Sequence, residues 1–228
     1  MSDADSRAPV PDVMPVDRAA WQRELHLSNF VNAYYEYRDL SSLPEIRRVL
    51  VVGPGQGLGV QVLRWRGYDV TTFDIDETFT PDVLGSVHDM SAFASASFDA
   101  VLTSHVLEHL PLDYLDPALR EIARVGRFAL VYLPVAGRHA QLRLQPGFRG
   151  LDLALNLDLF SPLERPDGRS ARYMQGMHYW EVGHRGFRVR DLCRRFERCF
   201  EVLAHYRNRD WLHSHNFLLR ARASRSAT

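Results

Sequence analysis

Two short segments of the chain concentrate imidazole and carboxylate side chains. In chain order they contribute His105, Glu108, His109, His178, Glu181 and His184. Histidine accepts and releases protons near neutral pH, and imidazole together with carboxylate also binds divalent metals. His105 and His109 would share one face if a helical turn forms there. The two segments therefore indicate proton transfer or metal binding, and the spacing alone leaves both open.

A third candidate is the glycine-rich sequence Gly53-Pro54-Gly55-Gln56-Gly57, which follows an apolar run and precedes a helical pattern. A glycine turn between a strand and a helix lets the backbone approach a ligand and directs free amide groups toward it. The dehydrogenase pattern G-x-G-x-x-G would need a glycine where this chain has Leu58. The pattern G-x-G-x-G is satisfied instead, so the turn is predicted to hold a nucleotide-like cofactor of another class.

Asp74 stands at the end of the next predicted strand, 17 residues after Gly57. A carboxylate at that position can accept hydrogen bonds from the two hydroxyls of a ribose. An Asp after a strand is also common as a helix cap or a turn residue, and Asp76 is the weaker choice for the ribose contact. The order strand, glycine turn, helix, strand and acid favours Asp74 as the contact, with Ile75 beside it.

Predicted strands and helices alternate around these motifs, which favours a parallel sheet with helices on both faces. The predicted strands cover 48–52, 69–73, 98–103, 128–133, 200–206 and 216–222. Four helices follow from apolar residues at helical spacing. Their expected apolar faces are Phe30, Ala33, Tyr34 and Tyr37 within 18–40; Leu58, Val62 and Trp65; Leu115, Leu119, Ile122 and Val125; and Val189, Leu192, Cys193, Phe196 and Cys199.

The 228 residues fit one domain, predicted over 18–222 between disordered tails at 1–17 and 223–228. Within it, 18–44 is expected to form a helical cover. Regular secondary structure is expected to stop over 134–186, which is predicted to be an insertion that covers the acceptor site. Within this insertion, Tyr179 and Trp180 are expected either to line a pocket or to anchor the insertion on the core. Cys193 and Cys199 are too far apart along a helix for a disulfide.

Charge and hydropathy limit the partners of the chain. Its 28 basic residues balance its 28 acidic residues, which disfavours nucleic acid as a partner. No stretch of eighteen apolar residues and no basic segment leading into an apolar run occurs, so the chain is predicted to be cytoplasmic without a membrane span. A small-molecule partner is expected, and a homodimer is left open.

The stretch from Val49 to Pro134 resembles class I S-adenosylmethionine-dependent methyltransferases, in particular the small-molecule enzymes with a Val-Leu-Glu-His-Leu-Pro signature. That signature stands here as Val106-Leu107-Glu108-His109-Leu110-Pro111. Ser97-Phe98-Asp99-Ala100-Val101 resembles the fourth strand of that family, and Ile122-Ala123-Arg124-Val125 resembles its following helix. His178-Tyr179-Trp180-Glu181-Val182-Gly183 resembles a segment in one subgroup of bacterial and archaeal proteins.

The resemblance implies an α/β fold with a Rossmann-like, doubly wound sheet of about seven mostly parallel strands, the last of them antiparallel, and helices on both faces. It also implies S-adenosylmethionine as the cofactor. In the third motif the family usually carries an acid after glycine, whereas here Ser86 follows Gly85, with Asp89 as a shifted alternative. The implied cofactor contacts are Gly53, Pro54, Gly55, Gln56, Gly57, Asp74, Ile75, Ser86, Val87, Ser104 and His105.

The predicted function is methyl transfer from S-adenosylmethionine to a small molecule, with a hydroxyl oxygen of a sugar, lipid or specialised metabolite preferred over nitrogen. Such a transfer is an in-line displacement, so the enzyme aligns the acceptor and, where needed, removes its proton. The candidate catalytic residues are His105, Glu108, His109 and His178.

Two alternatives remain at this level. Ubiquinone-type and small-RNA 2′-O-methyltransferases carry a metal-binding Glu-x-x-Glu-His sequence, and the matching residues here read His105-Val106-Leu107-Glu108-His109. A divalent metal is the less favoured hypothesis, with His105, Glu108, His109 and His184 as ligands and His178 as a substitute for the last. RNA methylation would use such a site, but the balanced charge disfavours it. The other alternative is a partner subunit that binds the cofactor without catalysis.

Overall fold

The computed structural model describes residues 25–144, 153–160 and 178–222, and the statements below refer to those residues. Its elements are α1 (Leu27–Ser41), β1 (Arg48–Val52), α2 (Leu58–Trp65), β2 (Asp69–Asp74), β3 (Val83–Leu84), β4 (Phe98–Ser104), α3 (Leu112–Val125), β5 (Gly126–Pro134), β6 (Arg138–Leu144), β7 (Leu153–Phe160), α4 (Val189–Phe196), β8 (Phe200–Arg207) and β9 (Ser214–Ala221). Two 3-10 helices, Glu77–Phe79 and Leu107–His109, lie between them.

Seven strands form one sheet in the order β3-β2-β1-β4-β5-β9-β8. The pairs from β3 to β5 are parallel, whereas β9 runs antiparallel to both β5 and β8. The prediction of seven mostly parallel strands with the last one antiparallel is therefore confirmed. The chain builds outward from β1 to β3, then returns to place β4 on the other side of β1. This reversal opens a crevice at the carboxyl ends of β1 and β4, where ligands of open α/β sheets bind.

The sheet is covered on both faces, as its strand pattern requires. Along β1, Val49 and Val51 pack in one cluster with residues of α1 and α2, while Leu50 and Val52 pack in a second cluster with residues of α3 and α4. Side chains alternate between the two faces of a strand, so a strand buried on both sides reads as a continuous apolar run. The sequence Arg48-Val49-Leu50-Val51-Val52 has this pattern and was predicted with the observed bounds.

The predicted apolar face of the first helix is wrong for Phe30 and Tyr34, whereas Ala33 is buried and Tyr37 packs against the core as predicted. Phe30 and Tyr34 are 52% and 56% exposed, whereas Tyr35 and Asp39 are buried. Asp39 accepts hydrogen bonds from the hydroxyls of Tyr132 (2.6 Å) and of Tyr206. Because this helix buries polar groups that satisfy one another, its buried side is not its apolar side. The helix also begins at Leu27; residues 18–24 of the predicted span lie outside the described residues.

The predicted face of α2 is also shifted. Val60 and Leu63 are its buried residues, while Trp65 is 80% exposed. Eight residues make barely two turns, so the position of the helix start at Gly57 decides which side faces the sheet. By contrast, α3 buries the predicted Leu115, Leu119, Ile122 and Val125.

The span 134–186 is more regular than predicted. β6 and β7 pair antiparallel as a separate two-stranded sheet, with Leu142 opposite Leu155. Leucine alternates with other residues in Leu153-Ala154-Leu155-Asn156-Leu157-Asp158-Leu159, a period of two that predicts a strand and was missed. Residues 145–152 and 161–177 lie outside the described residues, as do the predicted tails.

Two smaller expectations concern the cysteines and the membrane. Cys193 and Cys199 are free thiols, as predicted. Among the helices that the structure describes, none is long and apolar enough to span a bilayer.

Candidate functional site

The glycine turn, Asp74 and Ser104 meet at one edge of the sheet. Val52 lies beside Phe73 on one neighbouring strand and beside Thr103 on the other, so the residues that follow all emerge together. The Gly53 N–H donates to the Phe73 carbonyl at 2.9 Å, which extends the ladder into the turn. This edge is the crevice between β1 and β4.

Each glycine of the turn has a backbone that favours glycine. Gly53, Gly55 and Gly57 have φ values of +66°, +55° and +78°. A Cβ at Gly53 would lie 2.5 Å from Cγ2 of Val106, whereas one at Gly57 would meet nothing within 4 Å. Gly53 is therefore required by packing as well as by its dihedral angle, while Gly57, the N-terminal cap of α2, borders open space. Pro54 and Gln56 line a cleft beside the turn.

Asp74 is the last residue of β2 and is largely buried. Its Oδ1 accepts the Asp76 N–H at 3.0 Å. Asp76 itself caps the short helix that follows, because its Oδ1 accepts the Thr78 N–H at 2.8 Å. The structure thus gives Asp76 a capping role and leaves Asp74, with the half-buried Ile75 next to it, at the crevice.

The third motif follows β3. Ser86 and Val87 are buried, and the Ser86 hydroxyl shares a hydrogen bond of 2.7 Å with Nδ1 of His88. Asp89 lies in a tight turn in which its N–H donates to the Ser86 carbonyl at 2.8 Å, and its carboxylate accepts the Ser91 N–H at 3.1 Å. The acid at position 89 therefore stabilises this turn.

Glu36 is a site residue that the sequence analysis missed. It comes from the middle of α1 and is 7% exposed. Its carboxylate lies near the Ser104 side chain, and a Cβ on Gly59 would collide with its Oε2. Burial raises the pKa of Glu36, and this outweighs the opposing effects of Ser104 and the nearby His105. An acidic group thus lies between the first turn of α2 and the end of β4.

The two histidine segments come together around Glu108, which is fully buried in the 3-10 helix Leu107–His109. Nδ1 of His105 lies 3.5 Å from Oε1 of Glu108. Nε2 of His109 and Nε2 of His178 each lie 4.0 Å from the same oxygen. His105 reaches this position with a φ of +57°, a left-handed conformation rare for a side chain of its size. The predicted catalytic set of His105, Glu108, His109 and His178 is therefore one spatial cluster.

Charge in this cluster is mutually stabilising. Burial alone would raise the pKa of Glu108, but the close approach of His105 and the charges of the three imidazoles lower it further than burial raises it. Burial would lower the pKa of His178, but its hydrogen bond to Glu181 and the charge of Glu108 raise it overall. A buried carboxylate and a neighbouring cation therefore favour each other's charged forms.

The segment around His178 is held by its own backbone and by Trp180. The Tyr179 N–H donates to the Glu108 carbonyl at 2.8 Å, and the Val182 N–H donates to the Pro134 carbonyl at 2.8 Å. Trp180 is fully buried and stacks on Phe187 with ring centroids 4.7 Å apart. Of the two predicted roles for Trp180, pocket wall and anchor, the structure supports the anchor.

His184 does not join the cluster. It is fully buried, and its Nδ1 accepts the Glu181 N–H at 3.0 Å. Among the described residues, the group with metal-ligand spacing is Glu108, His109 and His178, whose donor atoms all lie within 4.8 Å of one another. The ligand set in the metal hypothesis therefore differs from the predicted one, because His105 and His184 lie outside that group and His178 lies within it.

Comparison with known proteins found a match for part of the sequence and for the fold. Residues 50–128 match the family model described as a methyltransferase domain. The matched segment runs from β1 into β5 and contains the glycine turn, Asp74 and Glu108. No curated protein matches the chain.

Solved methyltransferases share the fold of the chain at low identity. The sugar N-methyltransferase KedS8 from Streptoalloteichus sp ATCC 53650 is 13% identical, with a TM-score of 0.57 over 98% of this chain and 100% of that one. Burkholderia thailandensis 1,6-didemethyltoxoflavin-N1-methyltransferase, solved with its substrate and S-adenosylhomocysteine, is 17% identical, with a TM-score of 0.53 over 95% and 94%. A putative methyltransferase complexed with the Haloferax volcanii Trm112 activator is 12% identical, with a TM-score of 0.56 over 92% and 100%.

Proposed function

We propose that this chain transfers a methyl group from S-adenosylmethionine to a hydroxyl oxygen of a small molecule, such as a sugar, a lipid or a specialised metabolite. The observation that carries the proposal is the edge of the sheet where the glycine turn and Asp74 emerge and where Gly53 packs against Val106, which lies in sequence between His105 and Glu108. The side with the glycine turn and Asp74 suits a nucleoside, and the side with His105 and Glu108 suits proton transfer.

In this proposal the cofactor lies along the glycine turn. The Asp74 carboxylate accepts hydrogen bonds from the ribose hydroxyls. The backbone of the turn from Gly53 to Gly57 lies along the methionine part of the cofactor. The adenine edge meets Ser86 and the Val87 backbone. Glu36, beside Ser104, provides a carboxylate for the α-ammonium group, which is the cationic end of the methionine part.

The acceptor side is assigned to His105 with Glu108. An alcohol is a weak nucleophile until its proton is removed, whereas a neutral amine can attack the methyl carbon directly. Nε2 of His105 is buried and has no hydrogen-bond partner among the described residues, so it is available to an acceptor hydroxyl. Glu108, 3.5 Å from Nδ1, orients the ring. His109 and His178 complete the charge of the cluster.

The alternatives receive less support. RNA methylation would require phosphate neutralisation, and the chain has no net positive charge. A partner subunit that binds the cofactor without catalysis would not require the His105–Glu108 pair. Methyl transfer to a small molecule would use both the cofactor side of the crevice and the His105–Glu108 side.

Calorimetric titration with S-adenosylhomocysteine tests the proposal. The chain should bind one equivalent, and Asp74→Ala should weaken binding by about 1–3 kcal/mol, the cost of losing a hydrogen bond to a charged group. Asp69→Ala is the matched control, because Asp69 is an exposed acid at the other end of the same strand. Absence of binding by the wild-type chain would exclude the enzyme, and equal loss in the two variants would remove Asp74 from the site.

A further inference from the structure

We propose that Glu108, His109 and His178 bind one first-row divalent cation of the zinc or manganese type. Two imidazoles and one carboxylate are a donor set that such cations accept, with at least one coordination position left for an exchangeable ligand. The inference rests on the geometry of the three side chains. Its binding step does not depend on the proposed methyl transfer.

The spacing of the donor atoms is close to that of a metal site. Two ligand atoms, each about 2.1 Å from a tetrahedral metal, lie about 3.4 Å apart. Nε2 of His109 and Nε2 of His178 each lie 4.0 Å from Oε1 of Glu108, and all three donors fall within 4.8 Å of one another. Small side-chain rotations would bring them onto a common ion.

Glu108 is a buried carboxylate that a metal cation would stabilise. Its side chain is fully buried, and neither carboxylate oxygen has a hydrogen-bond partner within normal geometry among the described residues. A buried carboxylate without hydrogen bonds is costly, and native proteins place a charge or a metal beside it. The imidazoles of His109 and His178 surround the group without donating to it, which is the arrangement of ligands that share an ion.

Glu181 supplies the support that a histidine ligand requires. Its Oε1 lies 2.7 Å from Nδ1 of His178, so a single proton on that ring is held at Nδ1 and the lone pair of Nε2 is left for a metal ion. A carboxylate behind a metal-bound histidine commonly fixes the tautomer and orientation of the ring. The Tyr179 N–H bond to the Glu108 carbonyl, at 2.8 Å, keeps the two ligand segments together.

The role of the ion, unlike its binding, rests on the proposed function. His105 lies next to the cluster, so an acceptor hydroxyl in the open coordination position would be near a base. A divalent cation lowers the pKa of a bound hydroxyl and holds its oxygen in place. The proton would pass to His105, and the oxygen lone pair would form the new bond to the methyl carbon as the bond from carbon to sulfur breaks.

The test is metal binding by the full chain purified without a histidine tag. Elemental analysis, and calorimetry with Zn²⁺ and with Mn²⁺ after chelator treatment, should give about one ion per chain. His109→Gln and Glu108→Gln should weaken binding at least about tenfold, because each removes a ligand. Glu181→Gln should weaken it by about 10- to 100-fold, the usual effect of losing such a support.

Controls separate metal binding from folding and from methyl transfer. His205→Gln removes an exposed histidine from β8 and should leave the affinity unchanged. Because Glu108 is buried, its variant can unfold; His109, with a side chain 36% exposed, gives a second variant that keeps the test decisive. Absence of saturable binding by the folded wild-type chain, or equal binding by His109→Gln, overturns the inference. Cofactor affinity is measured in a separate experiment, so the metal-binding hypothesis and the methyl-transfer hypothesis can each fail without the other.

Discussion

At the residue scale, some side chains of the cofactor crevice could be predicted from the sequence and others could not. The glycine turn and Asp74 could be predicted as candidates because each is defined by local spacing along one β-α-β unit. Glu36 could not be found this way, because it lies in the run Tyr34-Tyr35-Glu36-Tyr37 and reaches Ser104 only after α1 folds over the sheet. The contact between Glu108 and His178 is equally remote, since 70 residues separate them.

Glu36→Gln tests whether this acid binds the amino-acid part of the cofactor. The variant should lose about 10- to 100-fold in affinity for S-adenosylhomocysteine, because a bond between two charged groups is replaced by a neutral one. It should bind 5′-methylthioadenosine, which lacks the amino acid, as the wild type does. Isothermal titration with both ligands measures the difference.

Glu45→Gln serves as the control for that comparison, because Glu45 carries an 86% exposed carboxylate away from the crevice. If Glu36→Gln weakened both ligands equally, the residue would support the fold of the crevice and not the ammonium group. If it weakened neither, Glu36 would have no part in cofactor binding.

At the element scale, the strands were predictable and the helix faces were less so. β1 and β5 are buried on both sides, so their apolar runs identify them without knowledge of the partner strands. α1 buries Glu36 and Asp39, whose hydrogen bonds come from distant residues, and a helix face of that kind has no apolar periodicity to detect. The separate pair β6 and β7 had a detectable alternation of leucines in β7 that the prediction did not use.

The glycine turn allows a matched pair of substitutions. Gly53→Ala should lower the free energy of unfolding by about 2–5 kcal/mol, since it adds an unfavourable dihedral angle to a collision with Val106. Gly57→Ala should cost only about 1–2 kcal/mol, because its added methyl group meets open space. Urea denaturation measures both.

A second substitution tests whether an added methyl group at Gly53 collides with Val106. Gly53→Ala combined with Val106→Ala should recover part of the lost stability, because the second substitution removes the atom that the first one meets. A double variant no more stable than Gly53→Ala would contradict the packing explanation and leave the dihedral angle as the whole cause.

At the scale of the whole molecule, a parallel sheet was predictable from the alternation of elements, and its seven strands with an antiparallel last strand from the family resemblance; the strand order came from the structure. The position of β9 between β5 and β8 places His215 inside the sheet. Burial, together with the nearby His205 and Arg207, lowers the pKa of His215 to about 3. Because the folded state resists protonation at this site while the unfolded chain accepts a proton below about 6.5, stability falls as the pH drops through that range.

His215→Gln should therefore flatten the acid side of the stability profile. Below pH 6.5 the wild type loses up to about 1.4 kcal/mol for each pH unit through this residue, and the variant does not. Urea denaturation at pH 7.5 and pH 5.5 measures the two slopes. The raised pKa of His178 acts in the opposite direction in both proteins, so it cancels in the comparison. Equal slopes would show that His215 is protonated in the folded chain.

The hydrogen bonds of Asp39 have a consequence for the order in which the molecule can form during translation. The helix that carries Glu36 is fastened to the sheet by Tyr132 and by Tyr206, and Tyr35 of the same helix donates to Asp210 at 2.7 Å. Two of these partners belong to the last third of the chain. A nascent polypeptide on the ribosome can therefore complete the glycine turn early, yet it cannot fix Glu36 over the crevice until its final strands have been synthesised.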